Sequence, residues 1–106
     1  MKLYTINATP ITEDMTQAEA TIAMDNYPLQ VMSILRAYLI DGFTMYEVQG
    51  FWNGKAERSF KIEIAVEPVS VINSQVNVIK DIALELKHTY NQESVMLTVD
   101  NEVEFL

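Results

Sequence analysis

The sequence predicts an α+β sandwich: a four-stranded antiparallel sheet with two helices on one face, in the order strand, helix, strand, strand, helix, strand. Three observations carry this. Phe60, Ile62, Ile64 and Val66 alternate with Lys61, Glu63, Ala65 and Glu67, the pattern of a strand with one dry face and one wet face. Ile72, Val76, Ile79, Ala83, Leu86 and Tyr90 recur at alternating steps of four and three, the period of a helix. Asn53-Gly54 sits between two strand-like runs and reads as a hairpin turn, because both residues tolerate positive φ.

The remaining elements follow in chain order. Residues 2–8 are rich in strand formers and stop at Thr9-Pro10, a turn signal. Residues 9–26 read either as a loop or as an extra helical turn from Thr12 through Ala23. Asn26-Tyr27-Pro28 reads as a helix entry, with Pro28 in the first turn, where its missing N–H is harmless. Leu29, Met32, Leu35 and Leu39 then form an apolar stripe that Val31, Ile34 and Tyr38 widen, and Asp41-Gly42 ends the helix with a glycine cap. Residues 43–52 form the second strand, apolar on both parities. Pro68 and Ser70 open the second helix, Ser70 as the N-cap. The last strand carries Val95, Leu97, Val99, Val103 and Phe105 on one parity, with Asp100-Asn101 as a bulge or tight turn. Two strand–helix–strand units joined by a hairpin make a ferredoxin-like sandwich over residues 1–106 as one domain. The apolar residues on both sides of the second strand call for a cover on the open sheet face, either residues 9–26 or a second copy in a dimer or trimer.

Composition excludes more than it assigns. The 106 residues have no Cys, so disulfides, thiolate metal sites and Cys nucleophiles are out. Neither a membrane span nor a secretory signal is legible, which gives a cytoplasmic expectation. The net charge of −8 opposes direct contact with nucleic acid. That charge is uneven. Glu13, Asp14, Glu19 and Asp25 face only Lys2 before residue 36, and Glu93, Asp100, Glu102 and Glu104 follow residue 92 without any base.

Gly42-Phe43-Thr44-Met45-Tyr46-Glu47-Val48-Gln49-Gly50-Phe51, followed by Phe60-Lys61-Ile62-Glu63-Ile64, resembles the second and third strands of nitrogen-regulatory PII signal proteins. Phe51 through Glu57 is similar to the aromatic turn of the trimeric CutA proteins. Residues 40–106 resemble a group of small bacterial and phage proteins of unassigned function. These resemblances imply the ferredoxin-like fold and a phage or prophage setting. From the PII pattern, Thr44, Gly50 and Phe51 carry over to a ligand cleft. The long loop between strands two and three of those proteins, and their basic glycine-rich loop, have no counterpart here.

The residues themselves spell no catalytic motif, metal set or cofactor site. His88, the one histidine, reads as a polar residue near a helix C-terminus, where it suits the dipole. Glu47, Glu63 and Glu67 read as a solvated or salt-bridged face, and Glu102 and Glu104 as edge charges. Tyr46, Phe51 and Trp52 beside Lys55, Arg58 and Lys61 form the one basic and aromatic cluster, suited to stacking on a base and pairing with phosphate, to a protein hot spot, or to subunit packing. The ligand- or partner-binding candidates are therefore Thr44, Tyr46, Gly50, Phe51, Trp52, Lys55 and Arg58. The function this supports is a non-enzymatic protein that binds and modulates a host protein such as a defence nuclease. The alternative is a PII-like module that holds a nucleotide-type ligand at a subunit cleft.

Overall fold

A computed structural model describes residues 2–40, 42–66 and 72–106, without the side chains of Trp52 and residues 72–76. The elements are β1 (Lys2–Ala8), α1 (Gln17–Ala37), β2 (Thr44–Trp52), β3 (Lys55–Val66), α2 (Ile72–Thr89), β4 (Met96–Val99) and β5 (Glu102–Phe105). They build one antiparallel sheet in the order β2-β3-β1-β4-β5. The α+β sandwich with both helices on one face is the observed fold. The fifth strand arises at Asp100 and Asn101, whose φ values of 49° and 69° make a two-residue hairpin turn and reverse the chain. Val103 and Phe105 therefore pair with Thr98 and Met96 and lie on the opposite sheet face from Leu97. They do not extend the buried parity of β4, as the sequence pattern had suggested.

The helix-facing side of the sheet is dry. Tyr4, Ile6 and Ala8 of β1, Phe60, Ile62 and Ile64 of β3, and Val95 and Leu97 near β4 are buried against Met24, Tyr27, Val31 and Leu35 of α1. Ile79, Ile82, Ala83 and Leu86 of α2 complete the same core. Tyr27 lies at the centre, stacked on Phe60 at 5.4 Å between ring centroids and edge-on to Tyr90 at 4.8 Å. The helices are tied by the Tyr38 hydroxyl donating to Glu85 Oε1 at 3.1 Å and the Tyr90 hydroxyl donating to Gln30 Oε1 at 2.6 Å.

α1 starts earlier than the sequence suggested. Thr16 caps it: its hydroxyl accepts from the Glu19 N–H at 3.1 Å, and the Glu19 carboxylate accepts from the Thr16 N–H at 3.0 Å. The Thr16 N–H, then its hydroxyl, hold the Glu19 carboxyl below the usual range. Pro28 thus lies inside the helix, where packing of Met24, Tyr27 and Val31 outweighs one missing backbone bond. The buried stripe is Met24, Tyr27, Val31 and Leu35; Leu29, Met32 and Leu39 face solvent instead. Leu39, not Gly42, takes the left-handed cap, with φ 64°. The Ile40 N–H donates to Leu35 O and the Leu39 N–H to Arg36 O, both at 2.9 Å, and half-buried Ile40 packs against the core.

Residues 9–16 leave the outer sheet face open. The Thr9 hydroxyl donates to Arg58 O at 2.8 Å, Gln92 Nε2 donates to Ile11 O at 3.0 Å, and Ile11 packs on the core. Two acids of the C-terminal hairpin are met by bases: Lys80 lies 3.1 Å from Glu104 and Lys2 lies 3.7 Å from Asp100. No described helix is long and apolar enough to cross a membrane. The N-cap expected at Ser70, after Pro68, lies outside the described residues.

Candidate ligand site

Strand alternation sorts the candidate residues onto two faces. Pairing of Thr44 with Glu63, Tyr46 with Lys61, Val48 with Ser59 and Gly50 with Glu57 puts this parity of β2 on the outer face, away from the helices. Glu47, Gln49 and Phe51 pair with Phe60, Arg58 and Ala56 on the helix side. Phe51 nevertheless remains exposed, because the β2–β3 hairpin runs out beyond the helices, with 53–58 exposed throughout. Arg58 is engaged there by Glu47 at 2.7 Å. The aromatic and basic cluster is therefore divided between the faces, and the Trp52 side chain lies outside what is described. Gly50 is six residues from Thr44, roughly 20 Å along the strand, and a side chain there would enter open space.

A concavity of about 400 Å³ lies at the other end of the hairpin, lined by Leu3, Gly42, Phe43, Thr44, Glu63 and Ala65. Leu3 pairs with Ala65 and Thr44 with Glu63, so three strands contribute their outer-face side chains to one apolar hollow with a carboxylate at its rim. Tyr46 stands next to it. Partial desolvation, then the charge of the nearby Glu63 carboxylate, raises the phenol above the ordinary tyrosine range. Of the sequence candidates, the concavity brings together Thr44 and neighbouring Tyr46. Lys55, Arg58, Gly50 and Phe51 stay on the arm. Glu63, which the sequence reading had assigned to a solvated face, is half-buried at the hollow. Leu3 and Ala65 were equally unmarked. The signal that could have found them is cross-strand pairing with Thr44, which needs the register and not the spacing.

No family model and no curated protein matches the chain. Solved structures do. A phage SAM lyase in complex with S-methyl-5'-thioadenosine superposes with a TM-score of 0.77 at 17% identity, covering 99% of this chain and 88% of the other. The apo state of a phage SAM lyase superposes at 0.78 with 18% identity, covering 99% and 87%. The fold is that of a phage SAM lyase.

This corrects two expectations. The resemblance to PII, CutA and a group of unassigned function is replaced by a whole-chain match to SAM lyase. The reading as a non-enzymatic protein acting on a host protein is overturned by the same finding, since the matching fold is that of an enzyme that holds a small nucleoside. Local strand motifs resembled PII because a Gly-x-Thr strand followed by a wet-and-dry alternating strand suits any sandwich of this type.

Proposed function

We propose that this protein is a lyase that cleaves S-adenosylmethionine to S-methyl-5'-thioadenosine, with the substrate seated on the outer face of the sheet at the Thr44–Glu63 hollow. The observation that carries the reading is the whole-chain superposition on SAM lyase, in company with a concavity of about 400 Å³, a size suited to a nucleoside of this kind. The activity itself is that of the matched proteins; its transfer to this chain is the proposal.

The chemistry sets what the site has to supply. The sulfonium sulfur of the substrate bears a methyl group, the adenosyl C5′ and Cγ of the methionine chain. Methylthioadenosine keeps the first two, so the S–Cγ bond breaks and its electron pair neutralises the sulfur. The four-carbon fragment supplies electrons from within, either by attack of its own carboxylate on Cγ or by loss of a β-proton. The leaving group is a neutral thioether, so it takes up no proton. Binding in a productive fold of the chain is therefore the main requirement. Leu3 and Ala65 offer apolar surface to the nucleoside. The Glu63 carboxylate, close to the Tyr46 hydroxyl, faces the cationic methionine end.

The outer face carries exposed Leu3, Tyr46, Val103 and Phe105. We read it as closed by another copy of the chain, which walls the hollow on its open side. Methylthioadenosine at 100 times its Kd is expected to raise the melting temperature by roughly 10 °C. An unchanged melting temperature at millimolar ligand would count against this site.

A further inference from the structure

The exposed side of α1 has its own pattern. Ile22, Asp25, Leu29, Met32, Arg36 and Leu39 follow one another at alternating steps of three and four, the spacing of a coiled-coil seam. Its four apolar members are all open to solvent: Ile22 61%, Leu29 67%, Met32 39% and Leu39 88%. They lie on the side of the helix turned away from Met24, Tyr27, Val31 and Leu35, so the core of this chain does not use them. Leu39 extends the seam one residue past the C-cap Tyr38, at a left-handed position that glycine would fit more easily.

The two charged members have opposite sign and sit symmetrically about the seam centre. In an antiparallel arrangement Ile22 meets Leu39 of a second copy, Leu29 meets Met32 and Asp25 meets Arg36. Each of these contacts occurs twice, which is the signature of a two-fold interface. A parallel arrangement would set Asp25 against Asp25 and Arg36 against Arg36. Neither Asp25 nor Arg36 has an ion pair among the described residues. Arg58, whose guanidinium feels the charge of Asp25, is already engaged by Glu47 at 2.7 Å. The opposed helix dipoles favour the same antiparallel choice.

We infer that two copies of this chain associate through α1, antiparallel, by the seam Ile22, Leu29, Met32 and Leu39 with reciprocal Asp25–Arg36 ion pairs. The seam runs for roughly 20 Å of helix from Ile22 to Arg36 and ends on Leu39 just beyond it, and the helices cross at the shallow angle of coiled-coil packing. It lies on the helical layer, on the other side of the molecule from the sheet face proposed to hold substrate, so the inference stands independently of the lyase reading.

Light-scattering mass at high micromolar protein tests it, with far-UV circular dichroism as the folding control. Asp25→Arg alone and Arg36→Asp alone place like charges across the seam, and each is expected to lower the particle mass to that of the assembly the sheet face holds by itself. The double variant Asp25→Arg with Arg36→Asp restores the pairs in reversed polarity and is expected to recover the wild-type mass. Equal masses for the wild type and the two single variants would overturn the inference. So would a double variant that stays at the lowered mass of the single variants. Methylthioadenosine binding is expected to be unchanged in all three variants, which separates failure of this interface from failure of the substrate site.

Discussion

Glutamine in place of Glu63 is expected to weaken S-adenosylmethionine binding between about tenfold and a hundredfold and to leave methylthioadenosine binding unchanged. The substrate carries two positive centres, the sulfonium and the ammonium; the product nucleoside carries neither. Glu63 is the one charged side chain among the described residues lining the hollow. A hydrogen bond from the ammonium to a carboxylate is stronger than one to an amide, while the amide keeps nearly the same shape. The ammonium is charged in the bound substrate and in the transition state alike, so the loss falls on KM and spares kcat. Tyr46→Phe removes the polar phenol beside the carboxylate and produces a smaller effect in the same direction. Steady-state kinetics with S-adenosylmethionine, and calorimetry with methylthioadenosine, read the two halves. A Glu63→Gln enzyme with the wild-type KM, or one that loses the product as well, would remove Glu63 from the cationic end.

The second large effect concerns Tyr27. It is fully buried, stacked on Phe60 and edge-on to Tyr90, and it joins α1 to both β3 and the end of α2. Tyr27→Ala is expected to cost about 3–5 kcal/mol, a large share of the 5–15 kcal/mol typical of a small domain. Tyr27→Phe keeps both ring contacts and removes a hydroxyl that finds no partner among the described residues, so stability is expected to hold or rise by about 1 kcal/mol. The two variants also differ in their response to pH. Burial, then the neighbouring Tyr90, raises Tyr27 well above the ordinary value of 10.0. Below that value the residue is neutral in both states and its contribution is complete. Above it the unfolded chain ionises while the folded one does not, so stability falls as the pH climbs toward the raised value. Urea titrations at neutral and alkaline pH should therefore show the wild type losing more than Tyr27→Phe above pH 10.0. Equal losses would contradict the burial argument.

Much of the fold was legible because period and turn chemistry act locally. β3 and the described core of α2 were visible in their alternation and their helical steps, and Asn53-Gly54 takes the positive φ values that the turn requires. α1 was harder for a physical reason. It has two apolar stripes, and sequence spacing gives no way to tell which one meets the sheet. Pro28 then drew the helix start forward, although the Thr16 capping box is where the helix begins. At Asp100-Asn101 the sequence offered a bulge or a turn, and only pairing with a fifth strand distinguishes them. The candidate site suffered most. Tyr46 and Thr44 were marked by their composition, but Leu3, Glu63 and Ala65 join them through cross-strand register, which is a long-range property. The same limit applies to Arg58: Glu47, on the adjacent strand and the same sheet face, already holds the guanidinium that the sequence offers to a phosphate.

Incubation of the purified protein with S-adenosylmethionine, followed by chromatographic and mass analysis of the nucleoside formed, is the decisive assay for lyase activity. The expected result is stoichiometric conversion to S-methyl-5'-thioadenosine over many turnovers, with a four-carbon fragment that has taken up no oxygen from labelled water during cleavage. Intact S-adenosylmethionine after prolonged incubation with folded protein would contradict it.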